Sequence, residues 1–265
     1  MSFLSAQFFG KSIVKMASMY VVLPPGKGPF PVLYLLHGLS DDHTVWHRRT
    51  SIERYVEGRN LIVVMPDGGR SFYCNDPRPG CLAYEDHIAK DVVEFVDETF
   101  PTIASRRGRA IAGLSMGGYG SVMLALRHPD VFSAACSHSG ALGFCHSRHE
   151  INGIDPGDIL PRERYDCHRL AAGIHRATNP DRKGAGILAS RDRKGAGKNP
   201  MPALRIDCGT EDFLLEENRA FHAHLARLGV EHVYEEYPGE HTWEYWDEHI
   251  RQSLDFVLER LAKKA

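Results

Sequence analysis

The chain has 265 residues, of which 43% are hydrophobic and 25% are charged, and this balance excludes an intrinsically disordered protein. Lys and Arg total 32 against 34 Asp and Glu, and the resulting formal net charge of −2 argues against a domain built to bind nucleic acid through its phosphates. No apolar run approaches the ~20 residues that span a bilayer, so we expect no membrane partner.

The N-terminal segment and the cysteines indicate the compartment. The first ten residues contain no basic stretch followed by a sustained apolar run, so they do not resemble a signal peptide. The six cysteines have no regular spacing, which fits reduced thiols better than a disulfide framework. We therefore expect a cytoplasmic protein. The length suits one large α/β unit, and we expect a single domain over 1–265.

Short apolar runs alternate with helical patterns along most of the chain. Strands are predicted at 12–23, 31–36, 61–65, 109–112, 132–137, 203–208 and 232–237. Helices are predicted at 44–56, at 85–100, from the Gly-rich turn after 112 to just before 128, at 216–228, and at 243–261. This alternation predicts an α/β fold with a mostly parallel central sheet and helices on both faces.

The alternating pattern weakens between about 144 and 200, where Gly, Arg and His accumulate. The hexapeptide Asp-Arg-Lys-Gly-Ala-Gly occurs there twice, at 181–186 and 192–197. Its basic residues could suit a phosphate-binding patch, but a solvated loop explains the composition better. We expect 144–200 to be a lid-like insertion. Its 181–197 part has too little apolar surface to offset the entropy of ordering, which predicts a mobile surface loop.

The strongest chemical signal is Gly113-Leu114-Ser115-Met116-Gly117, a G-x-S-x-G sequence between a predicted strand and a predicted helix. This context is the one that a nucleophile elbow requires, because the strained turn projects the serine hydroxyl above the sheet. Gly113 and Gly117 flank the serine, where side chains would collide across so tight a turn. Ser115 is therefore the predicted nucleophile.

A serine on a nucleophile elbow needs an acid to orient its base. In enzymes with such an elbow, the acid follows the serine in the chain and comes after a later strand. The predicted strand 203–208 is followed by two carboxylates, Glu211 and Asp212. We favour Asp212, with Glu211 as the runner-up. Asp207 is less suitable because it lies within the strand itself.

The serine also needs a base, and the base comes last in the chain order. His241 stands in the loop between the predicted strand 232–237 and the last helix. His138 comes too early in this order, and His249 falls inside the helix. Position therefore selects His241 from the 15 histidines of the chain.

Acyl transfer also needs backbone N–H groups that hold the developing oxyanion. One is predicted to be the amide of Met116, at the start of the helix that follows the serine. The other is predicted in the His37-Gly38-Leu39-Ser40 loop, where the glycine permits a tight turn and the amide of Leu39 is best placed to donate. His37 is interpreted as a structural hydrogen-bonding residue rather than as a second base.

Several motifs in the same order resemble the esterase D-type branch of the α/β-hydrolases. The likeness covers nearly the whole chain and is greatest to small tributyrin and acetyl esterases, with S-formylglutathione hydrolases, feruloyl esterases and mycolyltransferases as more distant relatives. The stretch from about 176 to 200 departs from the expected pattern. The resemblance is carried by the segments 37–40, 60–66, 113–120, 208–214 and 241–246.

The resemblance implies the α/β-hydrolase fold and a triad of Ser115, Asp212 and His241. The function it indicates is a serine carboxylesterase that acts on a small-molecule ester of short acyl chain without a cofactor. Alternatives are an S-formylglutathione hydrolase, a feruloyl or acetylxylan esterase, an acyltransferase on the same triad, and a binding protein that has lost activity on this fold. The sequence is compatible with a homo-oligomer.

Two groups of residues could bind a metal or form a disulfide. The spacing of the ligand-type residues between 145 and 168 matches no usual zinc pattern, so we expect no metal there. Cys74 and Cys81 share one Pro/Gly-rich loop, and reduced thiols are the default interpretation. The residues weighed as zinc ligands are Cys145, His146, His149, Cys167 and His168.

Overall fold

One mixed sheet organises the part of the chain that the computed structural model describes, which is residues 1–76, 82–146, 162–178 and 201–262. The strand order is β1-β2-β4-β3-β5-β6-β7-β8. The strands are β1 (Ser2–Gly10), β2 (Lys15–Leu23), β3 (Val32–Leu36), β4 (Ile62–Pro66), β5 (Arg109–Leu114), β6 (Ala134–His138), β7 (Ala203–Gly209) and β8 (His232–Tyr237).

Strand direction decides which ends of the strands can meet. β1 and β2 form an antiparallel hairpin, and β2 also pairs antiparallel with β4. Every pairing from β4 through β3, β5, β6 and β7 to β8 is parallel. The carboxyl ends of these six strands therefore lie along the same edge of the sheet, and loops that follow them can converge there.

Both faces of the sheet are covered, as the continuous apolar runs predicted. Along β3, Val32, Tyr34 and Leu36 belong to one apolar core, whereas Leu33 and Leu35 belong to a second core on the other face. This alternation is the two-residue period of a strand. The predicted α/β layering, a mostly parallel sheet between two layers of helices, is confirmed.

The helices divide between the two faces of the sheet. The core on one face takes side chains from α3, α4, α5, α7 and α8, and the core on the other takes side chains from α1, α2 and α9. The helices are α1 (Val45–Arg49), α2 (Ile52–Val56), α3 (Tyr84–Asp86), α4 (Val93–Thr99), α5 (Met116–Arg127), α6 (Arg162–Tyr165), α7 (Cys167–Thr178), α8 (Leu215–Leu228) and α9 (Trp243–Ala262).

Three predicted elements differ in detail from the observed ones. The predicted strand 12–23 begins only at Lys15, and the preceding residues form the turn of the hairpin. The predicted helix 44–56 is two short helices, because the backbone N–H of Ser51 bonds Asp247 on α9 instead of continuing the helix. The predicted helix 85–100 is continuous from α3 to α4, with a π-helical stretch at His87–Val92 between them.

The expected lid-like insertion is described only in part. A 3-10 turn at Phe144–His146, α6 and α7 are described, and α7 contributes buried side chains to the core beside α5. The doubled hexapeptide lies outside the described residues, so its predicted mobility stays a prediction. Cys74 is a buried free thiol, whereas Cys81 lies outside the described residues. Among the helices that are described, none has the length and apolar character needed to cross a bilayer.

A buried carboxylate ties three helices together on one face. Glu85, at 1% exposure, lies in α3 and accepts hydrogen bonds from Arg127 Nε at 2.6 Å, His128 Nε2 at 2.9 Å and Tyr165 Oη at 3.0 Å. Burial alone would raise the pKa of Glu85, but the hydrogen bonds and positive charges of His128 and Arg127 outweigh it and hold the pKa at about 2.

We expect Glu85→Gln to lower the free energy of unfolding by about 3 kcal/mol, because it leaves the Arg127 guanidinium without its buried counter-charge. The difference from the unmutated protein should shrink in acid. The native pKa of about 2 lies below the ordinary value of 4.5, so the stabilisation is complete above pH 4.5 and is lost as the pH falls towards 2. Urea unfolding followed by circular dichroism measures both effects.

The matched control for Glu85→Gln is Glu94→Gln. Glu94 forms an exposed ion pair with Lys11, and its loss should change stability by less than about 0.5 kcal/mol. Equal effects of the two substitutions would contradict the role assigned to Glu85.

Candidate active site

Ser115 occupies a sharp turn between β5 and α5. Its backbone has φ 52° and ψ −116°, which is a strained conformation for a residue with a side chain. The neighbouring backbone holds it there. The N–H of Ser115 donates to the carbonyl of His138 at 2.9 Å, and its carbonyl accepts from Tyr119 at 3.0 Å and from Ala141 at 3.2 Å. The predicted nucleophile elbow is therefore present in the backbone.

The two flanking glycines allow this turn because backbone atoms approach the places where their side chains would be. A Cβ on Gly113 would lie 2.5 Å from the carbonyl group of Gly117. A Cβ on Gly117 would lie 2.6 Å from the carbonyl oxygens of both Leu36 and His37. Any larger residue at either position would push the helix away from the sheet.

The predicted acid and base meet Ser115 at the carboxyl edge of the sheet. His241, in the loop after β8, places Nε2 3.0 Å from the Oγ of Ser115. Its Nδ1 lies 2.8 Å from Oδ2 of Asp212, which follows β7. The other oxygen of Asp212 accepts the backbone N–H of Leu214 at 2.8 Å. Hydroxyl, imidazole and carboxylate therefore form one continuous hydrogen-bonded chain.

The surroundings of Asp212 favour its charged form. Burial alone would raise the pKa of this carboxyl group, which is only 5% exposed. The hydrogen bond and positive charge that His241 can offer, together with the N–H of Leu214, outweigh burial, so the pKa of Asp212 lies below its usual value. An ionised carboxylate at this place accepts from Nδ1 and leaves Nε2 free to accept a proton from a hydroxyl.

The two alternative carboxylates do not contact His241. Glu211 is exposed, accepts the N–H of Gly239 at 2.6 Å, and donates its own N–H to the carbonyl of Gly239 at 3.0 Å. It thereby joins the loop after β7 to the loop that carries His241. Asp207 is fully buried in β7 and lies 3.0 Å from Nδ1 of His138.

The loop after β3 lies against the serine. A Cβ on Gly38 would lie 2.7 Å from the side chain of Leu114 and 3.8 Å from the Cβ of Ser115. Leu39 is the next residue of this loop. Met116 is the first residue of α5, where backbone N–H groups have no acceptor within the helix. Met116 thus follows Ser115 directly in the chain, and the loop that contains Leu39 approaches Ser115 at Gly38. The assignment of their N–H groups to an oxyanion hole stays a prediction.

His37 has the structural role that the sequence indicated. Its Nε2 accepts the backbone N–H of Gly68 at 2.8 Å, so Nδ1 carries the proton that is donated to the carbonyl of Gly38 at 2.8 Å. The carbonyl of His37 accepts from the hydroxyl of Tyr73 at 2.9 Å. These bonds fix the loop after β3 and leave no ring nitrogen for proton transfer.

Three residues beside the triad were not identified from the sequence. Trp246 packs edge-on to His241 with 4.9 Å between ring centroids, and its indole N–H donates to Oγ of Ser139 at 3.2 Å. Ser139 in turn contributes a hydrogen bond to Asp212. Phe213 lies 4.5 Å from the ring of His241 and is 76% exposed. An aromatic residue directly after the acid was the one available sequence signal.

Metal-ligand residues lie elsewhere. Among the described residues, the side chains able to hold an ion as a group of three or more are His146, Asp166 and His168, and none of them belongs to the triad. The arrangement of Ser115, His241 and Asp212 suits proton transfer and nucleophilic attack without a metal.

Known proteins resemble this chain in sequence and in structure. The chain is 27% identical to an acetyl esterase of Caldicellulosiruptor saccharolyticus over 97% of its length and 98% of the relative's. It superposes with a TM-score of 0.82 on FphF, a fluorophosphonate-binding serine hydrolase of Staphylococcus aureus, at 29% identity and with 97% and 98% of the two chains covered. The S-formylglutathione hydrolase FrmB of the same organism gives a TM-score of 0.79 at 28% identity, with the same coverage.

A family model covers almost the whole chain. The model described as putative esterase matches residues 11–257, which include all three residues of the triad arrangement. The structural relatives above are serine hydrolases of the α/β-hydrolase fold, and the observed sheet has the architecture expected for them. The chain therefore belongs to the esterase family of α/β-hydrolases and is a serine carboxylic ester hydrolase.

Proposed function

We propose that Ser115 attacks the carbonyl carbon of an ester while His241 takes the proton from its hydroxyl. The observation that carries this proposal is the continuous chain from Oγ of Ser115 through His241 to Asp212, with separations of 3.0 and 2.8 Å. Asp212 keeps the imidazole in the required tautomer and stabilises the imidazolium that forms.

The remaining steps use the same groups. The N–H groups of Leu39 and Met116 hold the negative oxygen of the tetrahedral intermediate. The C–O bond to the alcohol then breaks, and the imidazolium of His241 returns the proton to the departing alcohol. An acyl group remains on Ser115. His241 next removes a proton from water, which attacks the carbonyl carbon of this acyl ester. The bond between that carbon and Oγ of Ser115 then breaks, the imidazolium returns its proton to Oγ, and the acid is released.

The substrate class follows from the relatives and from the surface beside His241. The similarity to a relative named acetyl esterase extends over nearly the full length of both chains, which supports a short acyl group. The exposed ring of Phe213 provides an apolar contact next to the base, where the organic part of an ester can lie. The proposed substrate is a small ester of acetate, propionate or butyrate.

One alternative substrate has specific support. The similarity to FrmB over nearly the full length of both chains favours a thioester of glutathione as the second candidate. The same triad can cleave either bond, because a thiolate leaves from the tetrahedral intermediate as readily as an alkoxide that receives a proton. Comparison of kcat/KM on S-formylglutathione and on aryl acetates distinguishes the two.

We further propose that residues 1–265 form one catalytic domain that resides in the cytoplasm, with a lid-like insertion at about 144–200. The reduced state of the described cysteines supports a reducing compartment. These free cysteines are Cys74, Cys136, Cys145, Cys167 and Cys208.

Two neighbouring carboxylates test the assignment of the acid. Asp212→Asn should reduce kcat on p-nitrophenyl acetate by about 10⁴-fold, because an amide at this place favours the wrong tautomer of His241. Glu211→Gln should stay within about fivefold of the unmutated enzyme, because Glu211 contacts only the loop that carries His241. Steady-state kinetics and circular dichroism of both variants separate loss of chemistry from loss of fold. A reversed order of severity would assign the acid to Glu211.

A series of p-nitrophenyl esters tests the proposed acyl length. We expect kcat/KM to be highest between acetate and butyrate and to fall by at least about tenfold at octanoate, since the chain resembles an acetyl esterase over nearly its full length. Methyl ferulate and acetylated xylan extend the series to the other branches of the family. A higher kcat/KM on octanoate than on acetate would overturn the short-chain assignment.

A further inference from the structure

Three side chains from two segments of the chain, none of them in the triad, come together at the start of α7. His146 ends the 3-10 turn that follows β6, Asp166 lies between α6 and α7, and His168 is in the first turn of α7. One ligand-type atom from each lies within 4.8 Å of those from the other two. Two imidazoles and a carboxylate are a common ligand set for divalent transition metals in proteins.

The separations match the edges of a coordination polyhedron. Nε2 of His146 lies 3.3 Å from Oδ1 of Asp166, and Nδ1 of His168 lies 3.6 Å from the same oxygen. Zinc bonds of about 2.0–2.2 Å at tetrahedral angles require ligand atoms about 3.3–3.6 Å apart. Two of the three edges therefore already have the required length, and the ligand atoms of His146 and His168 lie within 4.8 Å of each other.

His168 supplies an observation that hydrogen bonding does not explain. Its Nδ1 is buried and has no hydrogen-bond partner among the described residues, because the carboxylate of Asp166 lies just beyond bonding distance. A buried polar atom without a close partner is costly, and a bound ion is one way to satisfy it. The backbone N–H of His168 donates to Oδ1 of Asp166 at 2.9 Å, which fixes the carboxylate beside the imidazole.

Neighbouring side chains and burial hold His168 and Asp166 in place. The ring of His168 packs edge-on against Phe221 at 5.1 Å and against His224 at 4.9 Å. The side chain of Asp166 is only 6% exposed, whereas that of His146 is 59% exposed. The site is therefore supported from the core side and open on the His146 side, where water can supply a further ligand.

We propose that His146, Asp166 and His168 bind one Zn²⁺ ion or a divalent ion of similar preference, with water completing a tetrahedral shell. The sequence argued against a metal because the spacing of the cysteines and histidines between 145 and 168 matches no usual zinc pattern, and Asp166 was not considered as a ligand. Cys145 instead places Sγ 3.7 Å from the hydroxyl of Tyr119, and Cys167 is buried in the apolar core.

The ion would join the 3-10 turn after β6 to the start of α7. Both elements lie next to α5, which carries the nucleophile at its start, but neither contributes a residue to the triad. An ion that binds the native protein and not the unfolded chain raises thermal stability. The site is thus proposed as a structural clamp that is independent of ester hydrolysis.

Metal binding can be measured directly. Protein dialysed against EDTA is titrated with ZnCl₂ in a calorimeter and with CoCl₂ in a spectrophotometer, where four-coordinate Co²⁺ gives intense visible absorption. We expect one equivalent of Zn²⁺ with micromolar or tighter affinity and a rise in Tm. His146→Asn and His168→Asn should each weaken binding by at least about 100-fold. His146 is exposed, so its variant should fold normally.

The control accounts for other histidines of the chain. His222 and His232 form a separate pair with 2.8 Å between their ring nitrogens, so His222→Gln removes an alternative metal-binding place. Binding should be unchanged in this variant, and hydrolysis of p-nitrophenyl acetate should stay unchanged in His146→Asn. The proposal is overturned if Zn²⁺ does not bind at micromolar concentration, or if His146→Asn binds as tightly as the unmutated protein, or if His222→Gln abolishes binding.

Discussion

Ser115 has a positive φ of 52°, and the active site forms only if the surrounding backbone holds it there. This conformation costs of order 1–3 kcal/mol for a residue with a side chain, so the surroundings must impose it. They do so through the close approach of Gly113 and Gly117 and through backbone bonds to His138 and Ala141. The first turn of α5 can then lie against the end of β3, and the serine hydroxyl and the loop of Gly38 come to share one surface.

The parallel strands supply the second requirement, which is that distant residues meet without a flexible connection. Asp212 and His241 follow adjacent parallel strands, so their loops lie side by side at the edge where Ser115 emerges. Two further contacts stiffen this pair of loops. Glu211 bonds the backbone of Gly239, and Trp246 packs against the ring of His241. The hydrogen bonds of the triad arrangement are therefore preorganised before any substrate binds.

Much of this arrangement was predictable because its signals are local or follow chain order. A G-x-S-x-G sequence between a strand and a helix specifies the elbow, and the order of acid and base along the chain selects His241. Local sequence and chain order do not decide whether Glu211 or Asp212 is the acid. Both follow the same strand, and only the direction of each side chain, set by the Gly239 loop and the Leu214 amide, distinguishes them.

Other features depend on packing between segments far apart in sequence, which local sequence patterns do not predict. The break between α1 and α2 arises where Asp247 of α9 takes the N–H of Ser51. The approach of His146 to Asp166 depends on how α7 lies against the core, so ligand spacing along the chain could not reveal it. The strand and helix pattern nevertheless predicted the layering correctly, because burial on both faces is visible in each apolar run.

Covalent labelling is the most direct test of whether the fold activates Ser115 as a nucleophile. An alkyl fluorophosphonate or p-nitrophenyl phosphonate reacts with a serine only when a base activates it, and peptide mapping by mass spectrometry locates the adduct. We expect one adduct per chain, on Ser115. It should form far more slowly in Asp212→Asn and be absent from a folded Ser115→Ala variant. An adduct on another residue, or equal labelling of Ser115→Ala, would contradict it.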